Sequence, residues 1–86
     1  MPEISRFFGI IVYMYWRDHE PAHFHVDYSG QKAEIAIESL GILKGKLSPK
    51  ALALVTEWAA LHQSELLENW KLAKNKQPIP KIEPLS

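Results

Sequence analysis

The chain contains no cysteine, so it has neither a disulfide framework nor a thiolate metal site, and any metal would have to sit on histidine and carboxylate. It also lacks an excess of either charge. Ten Lys and Arg against ten Asp and Glu give a formal net charge of zero, without the global basic field that most general nucleic-acid binders use. No apolar run is long enough to cross a bilayer, and residues 1–10 lack the basic-then-apolar pattern of a signal peptide, so no membrane role and a cytoplasmic address are expected. With 47% apolar and 23% charged residues over 86 positions, the composition is that of a single small folded domain, residues 1–86.

What is present is a concentration of titratable side chains in Asp18-His19-Glu20-Pro21-Ala22-His23-Phe24-His25-Val26-Asp27-Tyr28, which holds three of the four histidines. Pro21 fixes its own φ and biases Glu20 away from the helical region, so residues 18–21 read as a loop that delivers an extended segment. Side chains alternate along a strand, placing His23, His25 and Asp27 on one face and Phe24, Val26 and Tyr28 on the other.

The rest of the chain supplies a frame for that stretch. Pro2 to Arg6 is read as a polar entry and Phe7 to Trp16 as one strand, rich in Ile, Val, Tyr and Phe. Ser29-Gly30 is a hairpin turn; with a two-residue loop, Val26 pairs with Ala33, His25 lies opposite Glu34 and Asp27 opposite Lys32. Residues 32–38 alternate with Ala33, Ile35 and Ile37 inward, and 42–47 form a shorter fourth strand after a turn at 39–41. Ser48-Pro49 starts a helix expected to run to about residue 73 or 74, with Ala51, Leu54, Val55, Trp58, Ala59, Leu66 and Ala73 on its apolar stripe. Residues 77–86 hold three of the six prolines and read as an extended tail. The expected fold is therefore α+β: an antiparallel sheet of three to four strands in β-β-β-β-α order, with one long C-terminal helix packed on one face.

Two chemistries suit the histidines. His23 and His25, about 6.5 to 7 Å apart at Cα on one side of a strand, are close enough to share a metal with a carboxylate such as Asp27 or Glu34, and His19 joins them if the Glu20-Pro21 turn folds it back. Zinc, nickel or iron fits such ligands, and the metal alternative is His19, His23, His25 and Asp27. The other chemistry needs no metal, and the first expectation is that no cofactor is used. His23 and His25 then act as acid and base on a phosphodiester, Arg6 clamps phosphate, and His62 with Glu65 orients them. Tyr13, Tyr15, Tyr28, Lys32 and Asn69 are the matching substrate-binding candidates, with RNA as the substrate. The plainer reading has an equal claim on the strand: His23 and His25 are solvated side chains on the open face of a sheet. His62 lies on the apolar stripe with Glu65 three residues on and Asn69 four beyond that, a polar line that needs partners. Lys44, Lys46 and Lys50 make a small basic patch, read first as edge protection.

Several of these residues recur together. Pro2-Glu3-Ile4-Ser5-Arg6-Phe7-Phe8-Gly9-Ile10, Asp18-His19-Glu20-Pro21-Ala22-His23-Phe24-His25, Gly45-Lys46-Leu47, Glu57-Trp58-Ala59-Ala60-Leu61-His62, Asn69-Trp70 and Ile82-Glu83-Pro84-Leu85 span the chain, which resembles the small bacterial family called domain of unknown function 4160. The resemblance implies a short bacterial protein often encoded beside another small protein, a layout that invites a toxin–antitoxin reading. The expected function is accordingly a toxin-like component of a two-gene module, with endoribonuclease as the expected activity, whose partner is the small protein encoded by the neighbouring gene. The alternatives are a non-enzymatic module that binds that partner and a His/carboxylate metal-binding protein.

Overall fold

Two tight turns build the first half of the molecule. In the computed structural model, which describes residues 2–86, strand β1 (Glu3–Phe7) turns through Phe8 and Gly9 into β2 (Ile10–Tyr13). Phe8 and Gly9 both have positive φ (49° and 80°), and so do Ser29 and Gly30 (46° and 81°), which join β3 (His23–Tyr28) to β4 (Gln31–Ala36). Two successive positive-φ residues have the backbone twist that suits a two-residue hairpin loop. β5 (Ile42–Gly45) completes a five-stranded antiparallel sheet in the order β1-β2-β3-β4-β5.

The sheet has one strand more than expected at its start. Residues 3–6, read as part of a polar entry, form β1 together with Phe7 and pair with β2, because Ile4 and Phe7 are buried and close the core edge. The continuous strand expected over residues 7–16 is broken by the Phe8-Gly9 turn and ends at Tyr13. The β3–β4 register is the expected one: Phe24 with Ile35, His25 with Glu34, Val26 with Ala33 and Asp27 with Lys32.

One long helix was expected, and two are found: α1 (Pro49–Leu61) and α2 (Gln63–Lys74). Ser48 caps α1, its hydroxyl accepting from the Ala51 N–H, with Pro49 at the first position. The break falls at His62, whose backbone leaves the helical region (φ −126°, ψ 23°). Its N–H bonds back to Ala59 O, its carbonyl accepts from Leu66 N–H, and its ring pairs with Glu65 at 2.6 Å. Gln63 meanwhile donates to the carbonyls of Ile37 and Glu38 and ties the break to the end of β4. Polar anchoring thus interrupts a helix that propensity alone would continue.

Val12, Phe24, Val26, Ile35, Val55 and Trp58 are among the side chains that fill the core between one sheet face and the helices. The tail, residues 75–86, has neither helix nor strand but crosses the molecule: Ile82 is buried, and its N–H donates to Ile4 O. No helix among the described residues is long and apolar enough to cross a membrane.

Candidate metal centre

The face of β3 that carries His23 and His25 is not open to solvent. Residues 14–22 fold back over it: Arg17 N–H donates to Ala73 O, Ile37 N–H to Ala22 O, and Lys74 reaches Glu20 at 3.1 Å. His23 is fully buried and His25 is 9% exposed, so the solvated-face reading does not hold for either. The fold-back sets Asp18 against both rings, with its Oδ2 2.7 Å from His25 Nε2 and 3.0 Å from His23 Nε2. It also stacks the His19 ring on His23, with centroids 4.8 Å apart.

The tautomer of His23 follows from its contacts. Nδ1 lies 2.7 Å from the Pro21 carbonyl, which can only accept, so Nδ1 carries the proton. In the neutral ring Nε2 is then a bare lone pair. Around it are Asp18 Oδ2 at 3.0 Å and Glu34 Oε1 at 3.6 Å, and neither makes an aligned hydrogen bond with it. Glu34 Oε1 is likewise buried and without a hydrogen-bond partner among the described residues. His19 repeats the arrangement more loosely: Nδ1 is 3.2 Å from Glu20 O, and Nε2 is 3.6 Å from Asp18 and 3.8 Å from Glu34.

Two overlapping triads result, Asp18–His23–His25 and His19–His23–Glu34, in each of which one donor atom per residue lies within 4.8 Å of the others. The cluster brings two carboxylates and three imidazoles together, donor types that a divalent transition metal takes. A ring held by a backbone carbonyl through Nδ1, with Nε2 inward, is the usual second contact of a metal-binding histidine. The Asp18 carboxyl is pushed up by burial, but the His25 hydrogen bond, the His19 N–H and the fields of His23 and His25 outweigh this and hold it below the ordinary carboxylate range.

Asp27, the carboxylate in the expected ligand set, is not part of the cluster. It is engaged by Lys32 Nζ at 2.8 Å and Tyr13 Oη–H at 2.9 Å; despite burial, those bonds hold its carboxyl low, and it belongs to neither histidine triad. Burial, and then Asp27, push the Tyr13 phenol upward. Asp18 takes the place given to Asp27. Its only sequence signal was membership of the Asp18-His19 pair, since its position depends on a loop that bends back through long-range contacts.

Beside the cluster opens a cleft of about 370 Å³, lined by Tyr13, Tyr15, His25, Lys32, Ala33, Glu34, Lys44 and Gly45. Tyr13 stacks on the His25 ring at 5.2 Å, and Tyr15 meets it edge-on at 4.6 Å. The structure thus gathers Tyr13, Tyr15, His19, His23, His25 and Lys32 at or beside the cluster and leaves Arg6, Tyr28, His62, Glu65 and Asn69 elsewhere. Arg6 forms an ion pair with Glu3 at 2.7 Å on β1. His62 and Glu65 pair with each other, with the His62 ring beside Trp58. Asn69 is buried and donates to Pro80 O, while Tyr28 lines a separate pocket with Phe8, Lys50 and Leu54.

A five-stranded antiparallel sheet backed by two helices, with a histidine–carboxylate cluster at one end of its central strand, defines the molecule as a small α+β protein with a built polar centre. The chain belongs to the family described as Domain of unknown function (DUF4160), whose family model matches residues 9–71. No curated protein and no solved structure matches it.

Proposed function

We propose that the protein binds a divalent transition metal on Asp18, His23 and His25, with Glu34 beside the ion. The reading rests on the buried Nε2 of His23, a lone pair that faces two carboxylates with no aligned partner. Such an arrangement is repulsive when the ring is neutral and favourable once a cation stands between. Asp18–His23–His25 is preferred to His19–His23–Glu34 because its separations are 2.7 and 3.0 Å against 3.6 and 3.8 Å. His19 is also 56% exposed. Imidazole and carboxylate ligands favour zinc, nickel or iron.

Metal-free acid–base work on RNA has less support. His23 has one free ring nitrogen, directed at carboxylates, and Arg6 is occupied by Glu3. The metal reading is tested by stripping the protein with chelator and adding zinc, nickel or cobalt(II). At a free metal concentration of 100 times Kd, binding should add about 2.7 kcal/mol, or a Tm rise on the order of 10 °C for a domain of this size. No bound metal and an unchanged Tm would sink the reading.

A further inference from the structure

We infer that the cleft beside the cluster receives a phosphate ester and that the metal-loaded protein hydrolyses it, an inference that rests on the metal-binding reading above. A cleft of about 370 Å³ shares two residues with the cluster, His25 and Glu34, and so opens directly against it. Three protein ligands leave a coordination position free, as catalytic sites do and closed structural sites do not. The cleft wall matches an anion. Lys44 stands opposite Glu34 in the β4–β5 register, is exposed, and forms no ion pair with a carboxylate among the described residues. Lys32, although bound to Asp27, adds a second cation at the rim, and Tyr15 leaves an exposed ring beside His25.

Glu34 then has a role of its own. Its Oε1 is buried, has no hydrogen-bond partner among the described residues, lies 3.6 Å from His23 Nε2, and stands outside the ligand triad chosen above. A water held at the ion loses a proton to Glu34 as its oxygen forms a bond to phosphorus. The bond from phosphorus to the leaving oxygen breaks, and that oxygen departs with a proton returned from Glu34 or solvent. The ion polarises the phosphoryl oxygen, and Lys44 neutralises the equatorial charge.

The full chain, loaded with zinc, would be assayed with bis(p-nitrophenyl) phosphate and, separately, with a single-stranded RNA oligonucleotide; cobalt(II) absorption reports metal occupancy independently of activity. Release of p-nitrophenolate or cleavage of RNA above the free-zinc background is expected, and the two arms tell a small ester from a polymer. Glu34→Gln should keep the cobalt spectrum and lower kcat by about 10²- to 10⁴-fold. Lys44→Ala, on an exposed strand position, should keep the cobalt spectrum and lower both kcat and kcat/KM at least several-fold, because the charge it neutralises develops in the transition state. Metal uptake with no turnover of either substrate overturns the inference and leaves the metal-binding reading standing, and so does a Glu34→Gln variant that works at the parental rate. A chain that takes up neither zinc nor cobalt overturns both.

Discussion

At the scale of single residues, the centre depends on the direction in which one histidine donates. Pro21 O accepts a hydrogen bond from the His23 Nδ1–H, and Nε2 is left for whatever the two carboxylates share. Asp18→Asn keeps the volume but replaces a lone-pair oxygen with a donor or a neutral carbonyl, so the zinc-induced rise in Tm should disappear. His19→Ala should leave zinc affinity within a few-fold, as measured by calorimetry, because the outer triad is the looser one. A hundredfold loss in His19→Ala would instead put the ion on His19, His23 and Glu34. The same residues set the pH response of the metal-free chain. Asp18 and Asp27 both have folded-state values below their ordinary ones. A carboxyl lowered in this way adds stability that is fully present above the unfolded value, near 3.9, and is lost as pH falls through the folded one. Urea midpoints should therefore hold down to about pH 4 and drop below it. Bound metal should be released as pH falls, because ligation needs deprotonated imidazole and carboxylate.

At the scale of elements, the two hairpins show what the sequence could reveal. Ser29-Gly30, bounded by alternating residues, announced its register, and with it the pairs His25–Glu34 and Asp27–Lys32. Phe8-Gly9 makes the same kind of turn but puts an aromatic at φ 49°, inside an apolar run, where the usual Asn or Asp is missing. The signal was masked by hydrophobicity, and β1 was lost with it. Phe8 is 59% exposed, so Phe8→Asn should relieve the left-handed strain and raise stability by about 1 kcal/mol, read as a shifted urea midpoint. The break at His62 carries no Gly or Pro to mark it, because bonds from Gln63 to the Ile37 and Glu38 carbonyls, just past β4, anchor it. Alternation likewise gave the histidine face but could not give the loop that covers it. In β5, Gly45 has φ 76°, and a Cβ there would collide with the Lys32 backbone carbonyl. Gly45→Ala should cost at least about 1 to 3 kcal/mol and loosen β5 from β4 beside the cleft.

At the scale of the whole molecule, the tail acts as a clamp. Trp58, fully buried at the helix–sheet interface, donates its indole N–H to Glu83 O at 2.8 Å, and Asn69 on α2 donates to Pro80 O at 2.9 Å. Ile82 lies between these contacts, its side chain in the core and its N–H on Ile4 O at 2.8 Å, so a segment without regular structure joins β1, α1 and α2. Proline-rich extended chain suits the task, since it offers carbonyls while losing little backbone freedom on ordering. The clamp uses backbone carbonyls and one apolar side chain, which separates its parts by mutation. Ile82→Ala should cost about 2 to 5 kcal/mol, as truncation of a buried isoleucine does. Lys81→Ala and Glu83→Ala, exposed side chains whose carbonyls remain, should stay within about 0.5 kcal/mol of the parent. Denaturant melts of the three variants decide the matter: if Ile82→Ala unfolds at the parental urea concentration, the tail rests on the surface, and Trp58 and Asn69 are held by the helices alone.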